Sequence, residues 1–289
     1  MSNTIQTAMV RQYSGNVTYL YQEHSKLKGH MLEKMLNGRY GFFDRIGPTS
    51  AVKKTVRHGA TPQVNTQHTR RRGELADYEW ADLIDDTDEM RILQNPTSIY
   101  TINAGTAMGV AYDEEAIASF IASAWTGEEG TTEVVYPPGN IIEDGGGGSG
   151  MTVAKLRAAK LALDNVPVPQ ENRKALLSPE AGIDLLVDPQ VTSRDFHIVS
   201  ALTSGRVDTA PYMGFQFLQT TLLPVASNIR ECYVWHADAM GMLVGANLKV
   251  KVSDRNDLSH ATQVFVSGSF KGIRILDEGV RTIDIDESV

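Results

Sequence analysis

The residues with the strongest claim to chemistry are the glycines between positions 145 and 150. Gly145, Gly150 and Thr152 match the phosphate-binding loop pattern G-x-x-x-x-G-K-[ST] at every fixed position except the lysine, where Met151 stands. That lysine supplies the charge that contacts the terminal phosphates of a nucleotide, and a thioether cannot replace it. We therefore expect a loop that leads into a helix capped by Thr152, and keep a nucleotide-using soluble enzyme as an alternative.

The other reactive side chains do not form a recognisable catalytic or metal-binding pattern. Seven histidines are scattered along the chain without the H-E-x-x-H spacing of a zinc site. The single cysteine, Cys232, excludes an intrachain disulfide, and we expect it to pack as a small apolar side chain. No serine lies in a G-x-S-x-G elbow. The sequence therefore predicts no catalytic residue, no metal and no cofactor, and a protein that is not an enzyme.

The sharpest pattern is a basic block followed at once by an acidic block. Residues 45–73 contain no acidic residue and seven basic ones: Arg45, Lys53, Lys54, Arg57, Arg70, Arg71 and Arg72. Residues 74–89 contain no lysine or arginine and eight acidic residues: Glu74, Asp77, Glu79, Asp82, Asp85, Asp86, Asp88 and Glu89.

Charge alone leaves three interpretations of these two blocks. The arginines at 70–72 could pair locally with the acids that follow, each exposed pair adding about 0–1 kcal/mol. The basic block could instead reach the acidic block of an identical neighbouring molecule, where charge sets register and specificity. A DNA-binding accessory protein is the third possibility, although the acidic segment would repel phosphate.

Composition bounds the class of protein. With 289 residues, 42% hydrophobic and 21% charged, the chain can bury a sizeable core. The net charge of −8 does not suit a dedicated DNA-binding protein. We find no signal-peptide-like run in residues 1–20 and no stretch of 18 apolar residues, so we expect no membrane segment and synthesis in a reducing cytosol.

Hydrophobic periodicity predicts an α+β protein with strands concentrated in its last third. Short helical character is expected at Lys26–Leu36, and residues 45–73 are expected to form a projecting β-hairpin with a strand at Val52–Val56 that is polar on both faces. The predicted helices are 98–125, one from Thr152, one from Ser178 and one at Ser193–Thr203. The predicted later strands are Phe215–Leu218, Tyr233–Trp235, Leu248–Val252, Gln263–Val266, Ile273–Leu276 and Val280–Ile285.

Three collinear stretches resemble the motifs of a family of tailed-phage capsid proteins. The first is Thr69–Asp86, ending in Asn95-Pro96-Thr97-Ser98. The second is Pro189–Asp195, followed by Leu202–Gly205 and Gly214–Phe217. The third is Asp254–Val264 with Gly272–Arg274. Their order along about residues 39–285 is more specific than any one of them.

The resemblance implies the Hong Kong 97-type capsid fold. By this likeness, residues 1–44 are an N-terminal arm, 45–82 an extended loop lying over an adjacent subunit, 83–150 a peripheral domain with a spine helix at 98–125, 151–230 an axial domain, and 231–289 C-terminal strands that return to the peripheral domain. A hairpin that is polar on both faces needs no core of its own if its partner is another copy.

The function implied is that of a major capsid protein, assembling as pentamers and hexamers into an icosahedral head around double-stranded DNA that it does not bind sequence-specifically. Only about 44 residues precede the extended loop, so we expect a separate scaffolding protein, besides a portal protein. The expected location is the virion, after assembly in the bacterial cytoplasm. We predict intersubunit contacts through Lys53, Lys54, Arg57, Arg70, Arg71, Arg72, Asp82, Asp85 and Asp86.

Overall fold

The computed structural model describes residues 25–57, 61, 63–84, 96–143, 149–187, 211–245, 249–258 and 261–287. Three α-helices and fifteen strands lie within these ranges, with the strands arranged in three sheets. The predicted α+β class is confirmed. Short 3-10 turns occur at Pro138–Asn140, Ala237–Ala239 and Asp277–Gly279.

The first sheet is built around one long strand. Its five strands are β1 (Leu32–Leu36), β4 (Ala76–Ile84), β12 (Met240–Gly245), β13 (Lys249–Arg255) and β14 (Ala261–Arg274). β4 pairs antiparallel along one edge of β14, while β13 and then β12 pair antiparallel along the other. β1 adds to β12 in parallel. The side chains of β14 alternate, so that Val264, Val266 and Phe270 enter the core.

A long helix, Pro96–Ile121, covers the buried face of this first sheet. Tyr112 of the helix meets Phe270 of β14 edge to face, with 5.6 Å between ring centres. The helix was predicted at 98–125 and ends four residues earlier, because Ala124 already belongs to a strand. Arg274 accounts for that end, since its Nη1 donates to the carbonyl oxygens of Phe120 and Ala122.

The second sheet shares the same core. Its strands are β7 (Ile141–Ile142), β8 (Arg173–Leu177), β9 (Phe215–Gln219), β10 (Val225–Ala226), β11 (Ile229–His236) and β15 (Val280–Asp286), in the order β7-β15-β11-β8-β9 with β10 beside β11. Phe120 of the long helix stacks on Tyr233 of β11 at 4.6 Å. The strands that lie mostly after residue 230 therefore do not all belong to one sheet. β11 and β15 are in the same sheet as β8 and β9, whereas β12, β13 and β14 are in the first sheet, under the long helix.

The third sheet contains the hairpin. Its strands are β2 (Tyr40–Ile46), β3 (His68–Glu74), β5 (Ala124–Thr126) and β6 (Thr132–Val134), in that order. The hairpin β2–β3 runs from the Tyr40–Glu74 pair to the Ile46–His68 pair. A hairpin is thus present, but the strand predicted at Val52–Val56 is wrong. Those residues are exposed, and a segment that is polar on both faces has nothing within its own chain to pack against.

The helix predicted at Lys26–Leu36 is also wrong. Residues 32–36 form β1 and pair with β12 from Gly241 to Gly245. Pairing with a distant strand overrides a short helical pattern, because a helix of that length is marginal without tertiary support. The predicted helix at Ser193–Thr203 lies outside the described residues.

Two predicted helix starts and several strands are confirmed. Thr152 caps the helix Val153–Asp164, its hydroxyl oxygen accepting from the Lys155 amide at 3.3 Å. Ser178 precedes the helix Pro179–Val187 and accepts from the Ala181 amide at 3.0 Å. β9, β11 and β15 contain the predicted segments, and β13 contains residues 249–252 of the segment predicted at Leu248–Val252. The two segments expected at 263–266 and 273–276 belong mostly to the single strand β14.

We expect Gly272→Ala to destabilise the packing of the long helix on β14. A β-carbon at Gly272 would lie 2.9 Å from the Glu115 carbonyl oxygen and 2.6 Å from the Ser119 β-carbon. Overpacking of this kind lowers the free energy of unfolding by about 1–3 kcal/mol. Gly38→Ala is the matched control, because nothing lies within 4 Å of its β-carbon position. Equal shifts of the two melting temperatures would contradict this packing.

Candidate intersubunit surface

The base of the hairpin rests on the outer face of the first sheet. Phe43 of β2 packs in a cluster with Leu243, Ile273 and Ile275. Gly41 and Gly73, which pair across β2 and β3, allow this close approach. A β-carbon at Gly41 would lie 2.7 Å from a Leu243 methyl carbon, and one at Gly73 would overlap the end of Ile273. The hairpin is therefore anchored at its base by apolar contact.

The three consecutive arginines diverge because they lie on a strand. Arg71 points into the protein, with a side chain 4% exposed, and its Nη2 lies 2.5 Å from Asp277 Oδ2. Arg70 points to the opposite face, where its Nε lies 3.2 Å from Asp44 Oδ1. Arg72 shares that face and lies over the Tyr40 ring. Their carboxylate partners are thus not the acids that follow in sequence.

The acidic block contributes one local pair at its start. Glu74 accepts from Arg39 at 2.6 Å, and both side chains are exposed. Such a pair adds little to stability, about 0–1 kcal/mol. Among the described residues, the arginines at 70–72 therefore do not form ion pairs with this acidic block.

The tip of the hairpin carries the remaining predicted basic residues. Lys53, Lys54 and Arg57 are all exposed, and none forms an ion pair or hydrogen bond with a described residue. In the same segment, Val52 and Val56 are 60% and 64% exposed. A segment that combines free cations with exposed β-branched side chains has the composition of a contact surface.

The acidic residues of β4 are sorted by the strand into two faces. Tyr78, Trp80 and Asp82 are half-buried on one face, and the Tyr78 hydroxyl donates to Glu115 of the long helix at 2.6 Å. Asp77 and Glu79 alternate with them and are exposed. The predicted residue Asp82 accepts from the Leu83 amide at 2.8 Å. Asp85 and Asp86 lie outside the described residues.

Asp77 and Glu79, which are exposed on β4 and are candidate acceptors, were not singled out by the sequence analysis. The signal that could have found them is the alternation of two aromatic residues with charged ones in Asp77-Tyr78-Glu79-Trp80. With the aromatic side chains directed to the core, a period of two places both carboxylates on the outer face.

On the outer face of the first sheet, the sign of the charged side chains changes from one edge of the sheet to the other. The register places Glu79 of β4, Ser267 of β14 and Lys249 of β13 in one row across the sheet. The next row contains Ala81, Phe265 and Lys251. One edge of this open face is therefore acidic and its other edge basic, with exposed Leu83 and half-buried Phe265 as its apolar part.

The end of the glycine loop does not provide a phosphate site. The Met151 amide donates to Asp184 Oδ2 at 2.8 Å, so a carboxylate already lies where an anion would bind the first turn of the helix. The space beside Gly150 is also filled by the Asp184 carboxyl group. Met151, which replaces the lysine, is buried. These contacts are those of a folded loop, and they disfavour the nucleotide-using alternative.

Other reactive groups have structural surroundings. Cys232 is fully buried in β11, and burial raises the pKa of its thiol to about 12. In the described part of the chain, no three His, Cys, Asp or Glu side chains are grouped so as to hold a metal ion. None of the described helices is both long and apolar enough to cross a bilayer.

Comparison with known proteins identifies the relatives of this fold. A family model described as phage capsid protein matches residues 5–287. The capsid of the cyanophage P-SCSP1u matches with a TM-score of 0.70 and 17% identity over 91% of this chain and 89% of that one. A chain of Mycobacterium phage Che8 matches with a TM-score of 0.61 and 15% identity over 86% and 85%.

A third solved structure, the mature capsid of bacteriophage PhiM1, matches with a TM-score of 0.65 and 10% identity over 92% of this chain and 88% of that one. No curated protein matches significantly. The Hong Kong 97-type fold expected from the resemblance is confirmed.

We expect Cys232 to resist alkylation in the folded protein. A thiol with a pKa of about 12 forms almost no thiolate near neutral pH, and the thiolate is the reactive form. Iodoacetamide at about pH 8 should leave the native chain unmodified and should modify it after unfolding in urea, as measured by mass spectrometry. Rapid labelling of the native chain would contradict the buried placement and reopen a nucleophilic role.

Proposed function

The chain belongs to the family of phage capsid proteins, and we propose that it is the major capsid protein of a tailed bacteriophage head. The observation that carries the proposal is the family match over nearly the whole chain. Copies of the chain associate as pentamers and hexamers into an icosahedral shell that encloses double-stranded DNA. Its role is structural and not catalytic, in keeping with the fully buried thiol and the occupied helix start.

The basic tip of the hairpin is proposed to contact the open face of a neighbouring copy. Lys53 and Lys54 offer charges without partners among the described residues, and Asp77 and Glu79 offer exposed carboxylates on β4. The apolar parts also match, since Val52 and Val56 flank the two lysines and Ala81 and Leu83 follow Asp77 and Glu79 on the same face of β4. Buried apolar area would supply most of the affinity, while charge would set register.

Asp82, Asp85 and Asp86 are proposed as further acceptors, and Asp82 lies on the face of β4 opposite to Asp77 and Glu79. On the donor side, Arg57 belongs with the lysines, and Arg70 and Arg72 extend the basic surface toward the hairpin base. Both arginines already lie over aromatic rings, which holds their planar groups at the surface. The buried Arg71 supports the same surface from within its own subunit.

The domains are proposed as follows. The N-terminal arm is 1–44 and the extended loop 45–82. The peripheral domain is 83–150 with its long helix, the axial domain is 151–230, and 231–289 returns to the peripheral domain through β12, β13 and β14. The strands β11 and β15 share a sheet with β8 and β9 of the axial domain, and the first sheet also contains β1 and β4. A shell of many copies gains stability from repetition, because modest contacts become strong once they act together.

Further partners are proposed from the role in a phage head. A separate scaffolding protein directs assembly in the bacterial cytoplasm, and a portal protein takes one vertex. The DNA is enclosed without sequence-specific binding, which suits a subunit of net charge −8. The finished protein is located in the virion.

We expect reversal of the tip charges to abolish shell assembly while leaving the monomer folded. In the variant Lys53→Glu, Lys54→Glu, Arg57→Glu, three cations would become anions facing the carboxylates of Asp77 and Glu79, and like charges across a contact repel. The melting temperature should stay within a few degrees, because surface changes typically alter stability by less than about 0.5 kcal/mol. Sedimentation and negative-stain microscopy measure assembly.

The matched control reverses both sides in one chain. Adding Asp77→Lys and Glu79→Lys to the triple variant restores opposite charges between neighbours, so shells should return. Normal assembly of the triple variant alone would reject the donor role of the tip. Assembly that is lost and not restored would reject the pairing of the tip with the open face of β4.

We expect the chain expressed alone to form few regular shells. Coexpression with the scaffolding protein of its own phage should raise the yield of closed particles of uniform size, because a scaffold selects one curvature. Particle diameters measured by electron microscopy provide the test. Uniform closed shells from the chain alone would contradict a separate scaffold without affecting the capsid assignment.

A further inference from the structure

One carboxylate, that of Asp277, joins the hairpin to the body of the protein. Its Oδ2 accepts from Arg71 of β3 at 2.5 Å, and its Oδ1 accepts from Arg274 at the end of β14 at 2.7 Å. Asn140 donates to the Asp277 carbonyl oxygen at 2.6 Å and fixes the turn that carries the carboxylate. The side chain of Asp277 is 18% exposed, so these contacts are largely shielded from water.

The two arginines depend on Asp277 to very different degrees. Arg274 also donates to the carbonyl oxygens of Phe120 and Ala122, at 2.8 and 2.6 Å, and lies over the Tyr136 ring. Arg71 has no comparable set, because its Nε and Nη1 are buried without a hydrogen-bond partner in the described structure. Asp277 is therefore one support among several for Arg274 and the main support for Arg71.

The surroundings of Arg71 make that dependence stronger. Burial lowers the pKa of its guanidinium, Asp277 raises it, and the nearby charges of Arg45 and Arg274 lower it. An arginine nevertheless keeps its charge in proteins. Arg71 thus lies near two further cations, and removing the Asp277 carboxylate would leave its buried charge close to both of them without a counter-ion.

We infer that Asp277 is the positioning residue of the hairpin, holding β2 and β3 down on the first sheet by neutralising Arg71. Without the carboxylate, Arg71 reaches water most easily if the hairpin lifts from the Phe43 cluster and from β5. Arg274 stays in place because its other partners belong to the body of the protein. The ion pair thus acts together with the apolar contact of Phe43 in fixing the angle at which the hairpin leaves the subunit; only the hairpin's use in assembly rests on the proposed function.

Hydrogen exchange on the unassembled full chain tests this inference. In Asp277→Asn, exchange of the amides in Tyr40–Ile46 and His68–Glu74 should rise by about a hundredfold, because an isolated two-stranded hairpin is marginal in water. Exchange in β11 and the long helix should stay unchanged. Asp257→Asn, in the exposed pair with Arg255, is the matched control and should leave the hairpin protected.

A second substitution separates a stranded charge from general damage to the turn. Adding Arg71→Met to Asp277→Asn replaces the uncompensated cation by an apolar side chain of similar length, so hairpin protection should return to within about threefold of the unaltered chain. Failure of this rescue, an unchanged hairpin in Asp277→Asn, or exchange raised throughout the body would each overturn the inference.

Assembly of Asp277→Asn keeps the two proposals apart. A lifted hairpin should present its tip at the wrong angle and reduce shell yield at least about tenfold, with the double variant restoring it. Normal shells from a chain whose hairpin exchanges freely would reject the hairpin contact of the proposed function and leave the positioning role of Asp277 standing.

Discussion

The buried guanidinium of Arg274 is the contact on which the arrangement of the three sheets depends. It ends β14, the strand that organises the first sheet, and it receives the carbonyl oxygens at the end of the long helix. The same group lies over Tyr136, which binds Thr282 of the second sheet, and bonds Asp277, which holds the hairpin of the third. A fully buried cation is tolerable because every side of it is paired. The side chain of Arg274 thereby links all three sheets, directly or through Asp277 and Tyr136.

The hairpin differs from Arg274, because part of it is exposed and not packed within its own subunit. Its base is closed by Phe43 and two paired glycines, yet its tip leaves Val52 and Val56 exposed beside cations that have no partner among the described residues. A monomer gains nothing from ordering such a segment, since the conformational entropy lost is not offset by burial. In the proposed contact, another copy in the shell supplies the burial that is missing within one chain. The exposed tip is therefore intelligible as half of a contact.

Much of the fold follows from local pattern, and the failures are those of long-range pairing. Thr152 and Ser178 were predictable as caps because their hydroxyls act within three residues. The strand β1 was not, because only Gly241–Gly245, more than 200 positions away, makes residues 32–36 a strand. Arg71 looked like its two neighbours in sequence, and only the pairing of β3 directs it toward Asp277. In β4, the alternation of acidic residues with Tyr78 and Trp80 is visible in the sequence, and it predicts that Asp77 and Glu79 are exposed on the same face of the strand.

The separation of donor and acceptor on one subunit also constrains the kind of assembly. In the proposed contact, the donors Lys53 and Lys54 lie at the tip of the hairpin, whereas the acceptors Asp77 and Glu79 lie on the open face of the first sheet, so the two surfaces that meet are unlike. A contact between unlike surfaces repeats from subunit to subunit and closes into a ring when the rotation allows it. Rings of five and of six require slightly different rotations from the same contact. Under the proposed function, a change of angle at the hairpin base would meet that requirement, because the rotation between neighbours would change while the core of each subunit stays as it is.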